Sequence, residues 1–185
     1  MKKGLKRFLI FIAVVAVIVV GFQIAPKVED AINFSKATEL QLGETAKTDI
    51  REFTVDSAYF SETDIDKVHM RDNKLVIEER KAPIGKCYVT ISCTLTNSNR
   101  GGSIQRVLFD DYFYIKYNNK KYIPKGPYTS SGIEIYAGEG LSSYDSYLLG
   151  MEPESLDDGF TVVVRLPNSD GKKEYFKYEI PAKQN

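Results

Sequence analysis

The sequence predicts an all-β domain of two stacked sheets, carried behind a single membrane-spanning helix. Three observations predict it. An uncharged run, Phe8 through Pro26, follows Lys2, Lys3, Lys6 and Arg7 directly. Cys87 to Leu95 alternates apolar and hydroxyl-bearing residues with the period of a half-buried strand. Beyond residue 43, short apolar runs are punctuated by turn residues, with no long amphipathic helix among them.

The leader comes first. Within it, Phe8 to Phe22 (FLIFIAVVAVIVVGF) has no polar side chain. Residues 8–26 at about 1.5 Å per residue reach roughly 28 Å, close to the hydrocarbon thickness of a bilayer. Lipid offers the backbone no hydrogen bonds, so such a segment is helical. Its basic flank, residues 1–7, places the N-terminus in the cytoplasm and the rest of the chain outside. A cleaved signal peptide needs small residues at its cleavage site. Ala25 has Gln23 two positions before it and Pro26 after it, which favours a retained single-pass anchor over secretion after cleavage. No Cys stands directly after the apolar run, so lipid attachment there is not expected.

The 185 residues carry 25 Lys+Arg and 25 Asp+Glu. Removing the four basic residues of the leader leaves 21 against 25, a net charge of −4. Nucleic-acid binding, which needs a basic excess, is excluded on this ground. A hydrophobic content of 43% suffices for a packed core. One His and two Cys cannot furnish a four-ligand Cys/His zinc site.

Residues 27–42 (KVEDAINFSKATELQL) follow Pro26, are rich in helix formers, and read as a juxtamembrane helix or stalk. A spacer is the simpler reading of its ragged apolar stripe, and a partner helix the other. Then Phe53, Val55, Ser57 and Tyr59 alternate with Thr54, Asp56 and Ala58. Val68-His69-Met70 and Leu75-Val76-Ile77 flank Asp72-Asn73-Lys74 as a hairpin. In the clearest strand, Cys87, Val89, Ile91, Cys93 and Leu95 share one face, and Tyr88, Thr90, Ser92, Thr94 and Thr96 the other. Asn97 to Ser103 is a turn cluster. Phe113 to Tyr117 and Lys121 to Ile123 surround Asn118-Asn119, a tight turn because Asn tolerates positive φ. Tyr147 to Leu149, Phe160 to Leu166 and Tyr175 to Ile180 complete the strands, the last two joined through Asn168 to Gly171. Lys120-Lys121 and Lys172-Lys173 lie near strand ends, where charge discourages pairing with other chains.

Cys87 and Cys93 stand six residues apart on one strand, about 20 Å at 3.3 Å per residue. A disulfide needs roughly 4.4–6.8 Å between Cα atoms, so the two are expected to be buried free thiols.

Catalytic motifs fail one by one. Ser169-Asp170-Gly171-Lys172 matches S-x-x-K, whose Lys must stand one helical turn from the Ser, but this tetrapeptide is turn-rich and lacks the companion motifs. Gly138-Glu139-Gly140 lacks the third glycine of a dinucleotide fingerprint. Leu166-Pro167-Asn168-Ser169-Asp170 is similar to a wall-sorting signal but has no apolar tail behind it. Glu62, Asp64 and Asp66 could approach calcium, yet the glycine and further oxygens of a binding loop are missing, and a solvated acidic loop is the reading preferred. His69, between apolar neighbours, has no assignable nucleophile or orienting partner. No enzyme activity, cofactor or metal is expected. The candidate binding surface is a set of outward tyrosines, Tyr88, Tyr112, Tyr114, Tyr136 and Tyr144, with Tyr128 beside them, since Tyr gives rigid amphipathic contact area. The competing reading has these rings closing sheet edges and core ends.

Four stretches resemble the telokin-like bacterial surface domains, a family related to the immunoprotective extracellular protein. They are Leu42-Gly43-Glu44-Thr45-Ala46 with Phe53 to Ala58, Gly85 to Asn97, Asp111 to Tyr122, and Tyr136-Ala137-Gly138-Glu139. Asn118-Asn119 departs from the family's usual Asp-Gly, and Ala137 from its Pro. The resemblance implies an immunoglobulin-like sandwich over 43–181 with a tail at 182–185, export, and no catalytic residues. The expected role is that of a binding or interaction module of the bacterial cell envelope, with a protein or envelope partner, held in the cell membrane through residues 8–26. The alternatives are an accessory structural subunit of a membrane complex and, behind it, an envelope hydrolase.

Overall fold

Every second residue from Cys87 to Leu95 is apolar, and burying that row against a second sheet organises the domain. The computed structural model describes residues 12, 14–15, 28–29, 31–71, 74–98, 105–107, 111–124, 133–135, 139–150 and 159–182, with side chains left aside at 65–71, 74, 105–107, 133–135 and 143–146. The chain divides into two compact units, Met1–Ala37 and Thr38–Asn185.

In the first unit, residues 31–36 are helical. The Ser35 hydroxyl donates to the Ile32 carbonyl at 2.8 Å. Among the described residues no helix is long and apolar enough to cross a membrane. The expected span, 8–26, lies outside the described residues except for Ile12, Val14 and Val15, which are helical.

The second unit is all-β. Its described strands are β1 (Thr38–Leu40), β2 (Thr45–Lys47), β3 (Arg51–Ser61), β4 (Thr63–Arg71), β5 (Lys74–Lys81), β6 (Cys87–Asn97), β7 (Gln105–Val107), β8 (Phe113–Tyr117), β9 (Lys120–Tyr122), β10 (Ile133–Ile135), β11 (Gly140–Leu149), β12 (Phe160–Pro167) and β13 (Lys173–Ile180). One sheet has the order β1-β13-β12-β8-β9 and the other β11-β6-β3-β2. β4 with β5 and β7 with β10 form two-stranded ribbons. The two larger sheets stack. Phe53, Val55, Val89, Ile91 and Leu95 of one meet Phe113, Ile115, Val162, Val164 and Leu166 of the other in a single buried cluster. Ring centroids of Phe53 and Phe113 stand 6.2 Å apart, and those of Phe60 and Phe160 4.2 Å. Each such large apolar side chain contributes about 1.5–3 kcal/mol by leaving water. This is a β-sandwich.

The strand pattern departs from the expected phase in β3. Its pairing with β6 shifts register between Val55 and Ser57, so Asp56 is the extra residue of a bulge. A bulge uses up one residue and reverses the alternation beyond it. Ala58 is therefore buried, Phe60 packs on Phe160, and Tyr59, expected on the face of Phe53, is 44% exposed.

Two further differences are tertiary in origin. Residues 38–40, expected to end the stalk, form β1 and pair in parallel with Phe176, Lys177 and Tyr178 of β13. β11 begins at Gly140, well before the expected Tyr147, because its polar half is paired residue for residue with β6. β2 pairs with β3 through only three residues, Ala46 facing Phe53.

Two of the expected turns are present, and the Asn97 to Ser103 cluster lies outside the described residues beyond Ser98. Asn118 and Asn119 have φ of 45° and 57°, the backbone of a two-residue hairpin turn between β8 and β9. Between β12 and β13, the Asn168 N–H donates to the Lys172 carbonyl at 2.8 Å, and Gly171 takes φ 75°. Met70 faces Leu75 and Arg71 faces Lys74 in the β4–β5 ribbon, whose connecting residues 72–73 lie outside the described set.

Candidate functional site

The two outer faces of the sandwich differ in chemistry. On the five-stranded sheet, charge is paired in place. Lys177 Nζ lies 2.6 Å from a Glu39 carboxylate oxygen and 4.0 Å from one of Glu179. The hydrogen bond and positive charge of Lys177 hold the Glu39 carboxyl below its ordinary pKa. Thr161 Oγ1 donates to Glu179 at 3.0 Å. Lys121 Nζ lies 4.4 Å from the centroid of the Tyr114 ring. Val163, an outward position between Tyr114 and Lys177, is fully buried beneath these long side chains.

The four-stranded sheet presents hydroxyls instead. Thr45, Thr54, Thr94 and Ser142 stand opposite one another in register across β2, β3, β6 and β11. The Thr45 and Thr54 hydroxyl oxygens are 2.9 Å apart, as are those of Thr94 and Ser142. Three inter-strand steps of about 4.8 Å make this row roughly 14 Å wide. Ser57 faces Ser92 in the next row, and Thr96 faces Gly140 in the row before. A Cβ on Gly140 would sit 3.0 Å from Thr96 Oγ1, so glycine there leaves that hydroxyl uncrowded. Ser142 and Tyr59 are exposed, and Thr54, Ser57, Ser92, Thr94 and Thr96 are half-buried. One corner holds the Lys47–Glu52 ion pair, 2.5 Å apart. At the other end, Arg80 covers Tyr88. Among the described outward residues between them, only the bulge residue Asp56 carries charge, and it is exposed.

Of the tyrosines expected to form the surface, the described ones are not brought together on it. Tyr88 is 2% exposed, because the Arg80 guanidinium lies over its ring at 5.4 Å. Tyr114 is also 2% exposed, capped by Lys121. Tyr112 is half-buried and stacks on Phe53, with centroids 6.5 Å apart. Alternation placed Tyr88 and Tyr114 correctly outward, but long cationic side chains close over both. Tyr128 and Tyr136 lie outside the described residues. Tyr144 faces Ser92 in register, with its side chain outside the described set. The surface tyrosine that alternation missed is Tyr59. Its signal was the change of apolar parity from Phe53 and Val55 to Ala58 and Phe60.

The remaining candidates separate. Ser169 and Lys172 sit exposed in the β12–β13 hairpin, not on a helix, and the Ser169 N–H donates to Asp49 Oδ1 at 2.9 Å. Hydrogen bonds from Ser169 lower the Asp49 pKa. Glu62 is exposed, and Asp64 bonds Arg80 at 3.0 Å. The side chains of Asp66 and His69 lie outside the described residues. Among the described residues, no group of three His, Cys, Asp or Glu side chains could hold a metal ion. Cys87 and Cys93 are both buried and form no disulfide, and burial pushes the Cys87 thiol up to about 11.

No protein-family model and no curated protein matches the chain. Two solved structures are similar. A β-sandwich protein of uncharacterized function from Clostridium difficile 630 shares 21% identity at a TM-score of 0.49, covering 77% of this chain and 94% of its own. A candidate lipoprotein from Bacillus subtilis subsp. subtilis str. 168 shares 12% identity at a TM-score of 0.47, covering 76% of this chain and 39% of its own. The likeness to telokin-like domains therefore stands on the four sequence stretches, and the structure shows the coarser class, a β-sandwich.

Proposed function

We propose that this chain is a non-catalytic, immunoglobulin-like binding module of the bacterial cell envelope, held by residues 8–26 with its sandwich outside the membrane. The leader's length, apolarity and basic flank support the tether and its orientation. The observation that carries the binding role is the contrast between the two outer faces. One is closed by ion pairs and cation–aromatic contacts, and the other is a hydroxyl array, exposed to half-buried, with Asp56 as the single charge among its described residues between the Lys47–Glu52 corner and Arg80. A photo-crosslinking residue placed at Ser92 in intact membranes is expected to yield a reproducible adduct, and one at Lys116 on the opposite face none. Equal capture from both positions, or none from either, overturns the reading. Protease added to cells stripped of wall should digest the second unit, and its survival would overturn the orientation. The accessory-subunit reading draws on Val28 and Ile32, four residues apart and both exposed in the first unit. It requires crosslinks from those positions instead.

A further inference from the structure

We propose that the hydroxyl face of the four-stranded sheet binds a neutral glycan strand. This rests on the binding-module reading and names its ligand class. The argument begins with charge. An anionic polymer would require unpaired Lys or Arg among the hydroxyl rows, and a cationic partner unpaired carboxylates. The rim ions Lys47 and Glu52 satisfy each other, and Asp56 is the lone charge in the described field. A protein partner would require a cluster of aromatic, Met or Arg anchors. The described outward side chains supply only Tyr59 and Leu148 as large exposed apolar groups, and they are on strands β3 and β11, with β6 between them.

The hydroxyl chemistry then selects the ligand. Each hydroxyl carries one donor proton and two acceptor lone pairs, and its proton rotates to suit the partner. In the Thr45–Thr54 and Thr94–Ser142 pairs one proton joins the two oxygens. Among the described residues nothing else takes the second proton and the remaining lone pairs of each pair, which leaves them to an outside partner. Each pair thus presents a donor and acceptors about 3 Å apart, the pattern that a sugar's adjacent hydroxyls present in return. Two such pairs in one straight row, on a rigid sheet, fit an extended chain of repeating diols. Tyr59, exposed on the same sheet, offers an aromatic ring with a polar tip to a sugar's C–H face.

The test uses the full chain in a sugar-free detergent, with chitin and amorphous cellulose as insoluble probes. Sedimentation with at least one of them is expected. The double variant Thr54→Val, Thr94→Val keeps side-chain shape and removes one hydroxyl from each pair, and it should lower the bound fraction at least tenfold. Lys116→Ala, on the opposite face, should bind as the parent does. Thermal melting establishes that both variants are folded. Retention on neither probe, or equal retention of the double variant, overturns the glycan assignment. A Ser92 adduct without glycan retention overturns this assignment alone. Failure of both experiments overturns the binding module as well.

Discussion

The Tyr178 hydroxyl lies 2.9 Å from the Glu44 carbonyl oxygen and so joins the last strand of one sheet to the segment that opens the other. The same oxygen accepts the Ala46 N–H at 3.3 Å and lies 3.2 Å from the Phe53 carbonyl. Tyr178→Phe keeps the ring and removes the hydroxyl's bonds to the Glu44 and Phe53 carbonyls and the Ala46 N–H. Losing a buried hydrogen bond costs about 0.5–1.5 kcal/mol net. Urea unfolding of the variant should show a loss of that size with an unchanged slope.

Stability should fall on the alkaline side. Burial raises Cys87 from 9.0 to about 11 and Tyr178 from 10.0 to about 12. Between the unfolded and folded values the native state binds more protons than the unfolded state, so stability declines as pH rises. The contribution is intact below pH 9.0, and it is lost progressively until about pH 11 for Cys87 and about pH 12 for Tyr178. Urea midpoints measured across this window should drop, and Tyr178→Phe should flatten the upper part of the decline.

Both thiols should resist alkylation in the native state. The thiolate is the reactive form, and Cys87 and Cys93 are buried on the inward face of β6. Mass spectrometry after a neutral-pH pulse of iodoacetamide should find no adduct on folded protein and two after denaturation. Rapid native labelling of Cys87 would contradict its burial.

Adjacent residues of β6 should differ sharply. Ile91 is 1% exposed, and Ile91→Ala is expected to cost about 2–5 kcal/mol through lost transfer energy and a cavity. Ser92, on the outer face, should change stability by about 0.5 kcal/mol or less on substitution by Ala. Thermal unfolding of the two variants checks the assignment of faces.

The β8–β9 turn offers a backbone test. Asn119 holds φ 57°, which a β-branched residue adopts only with strain. Asn119→Val should cost about 1–2 kcal/mol, and Asn119→Gly should be tolerated.

Much of this fold was legible in the sequence because the long strands follow their alternation. Cys87 to Leu95 turned its apolar row inward as expected, and the Asn118-Asn119 and Asn168–Gly171 turns carried their own backbone chemistry. The misreadings came where a partner strand supplies the order. Thr38–Leu40 has no strand pattern of its own and is recruited by β13. Gly140 to Ser146 has Leu141 as its only aliphatic side chain and becomes a strand by pairing with β6. The hydroxyl face was half visible, since Thr90, Ser92, Thr94 and Thr96 share a parity in one strand. Its completion by Thr45, Thr54 and Ser142 depends on the registers of three strand pairs. Tyr88 and Tyr114 failed as surface markers for a different reason. Alternation tells which way a side chain leaves the sheet and is silent about an Arg80 or Lys121 folding over it.

β1 also governs how the sandwich would bear tension. It runs parallel to β13 over three residues, with the Glu39–Lys177 ion pair astride the contact. A pull on the backbone at residue 38, directed along the strand, strains those rungs all at once, as a sliding clasp does, whereas a pull across the strand would peel them rung by rung. The first yield point of a domain leashed at that end is therefore set by this short clasp, before the buried rings between the sheets feel any force.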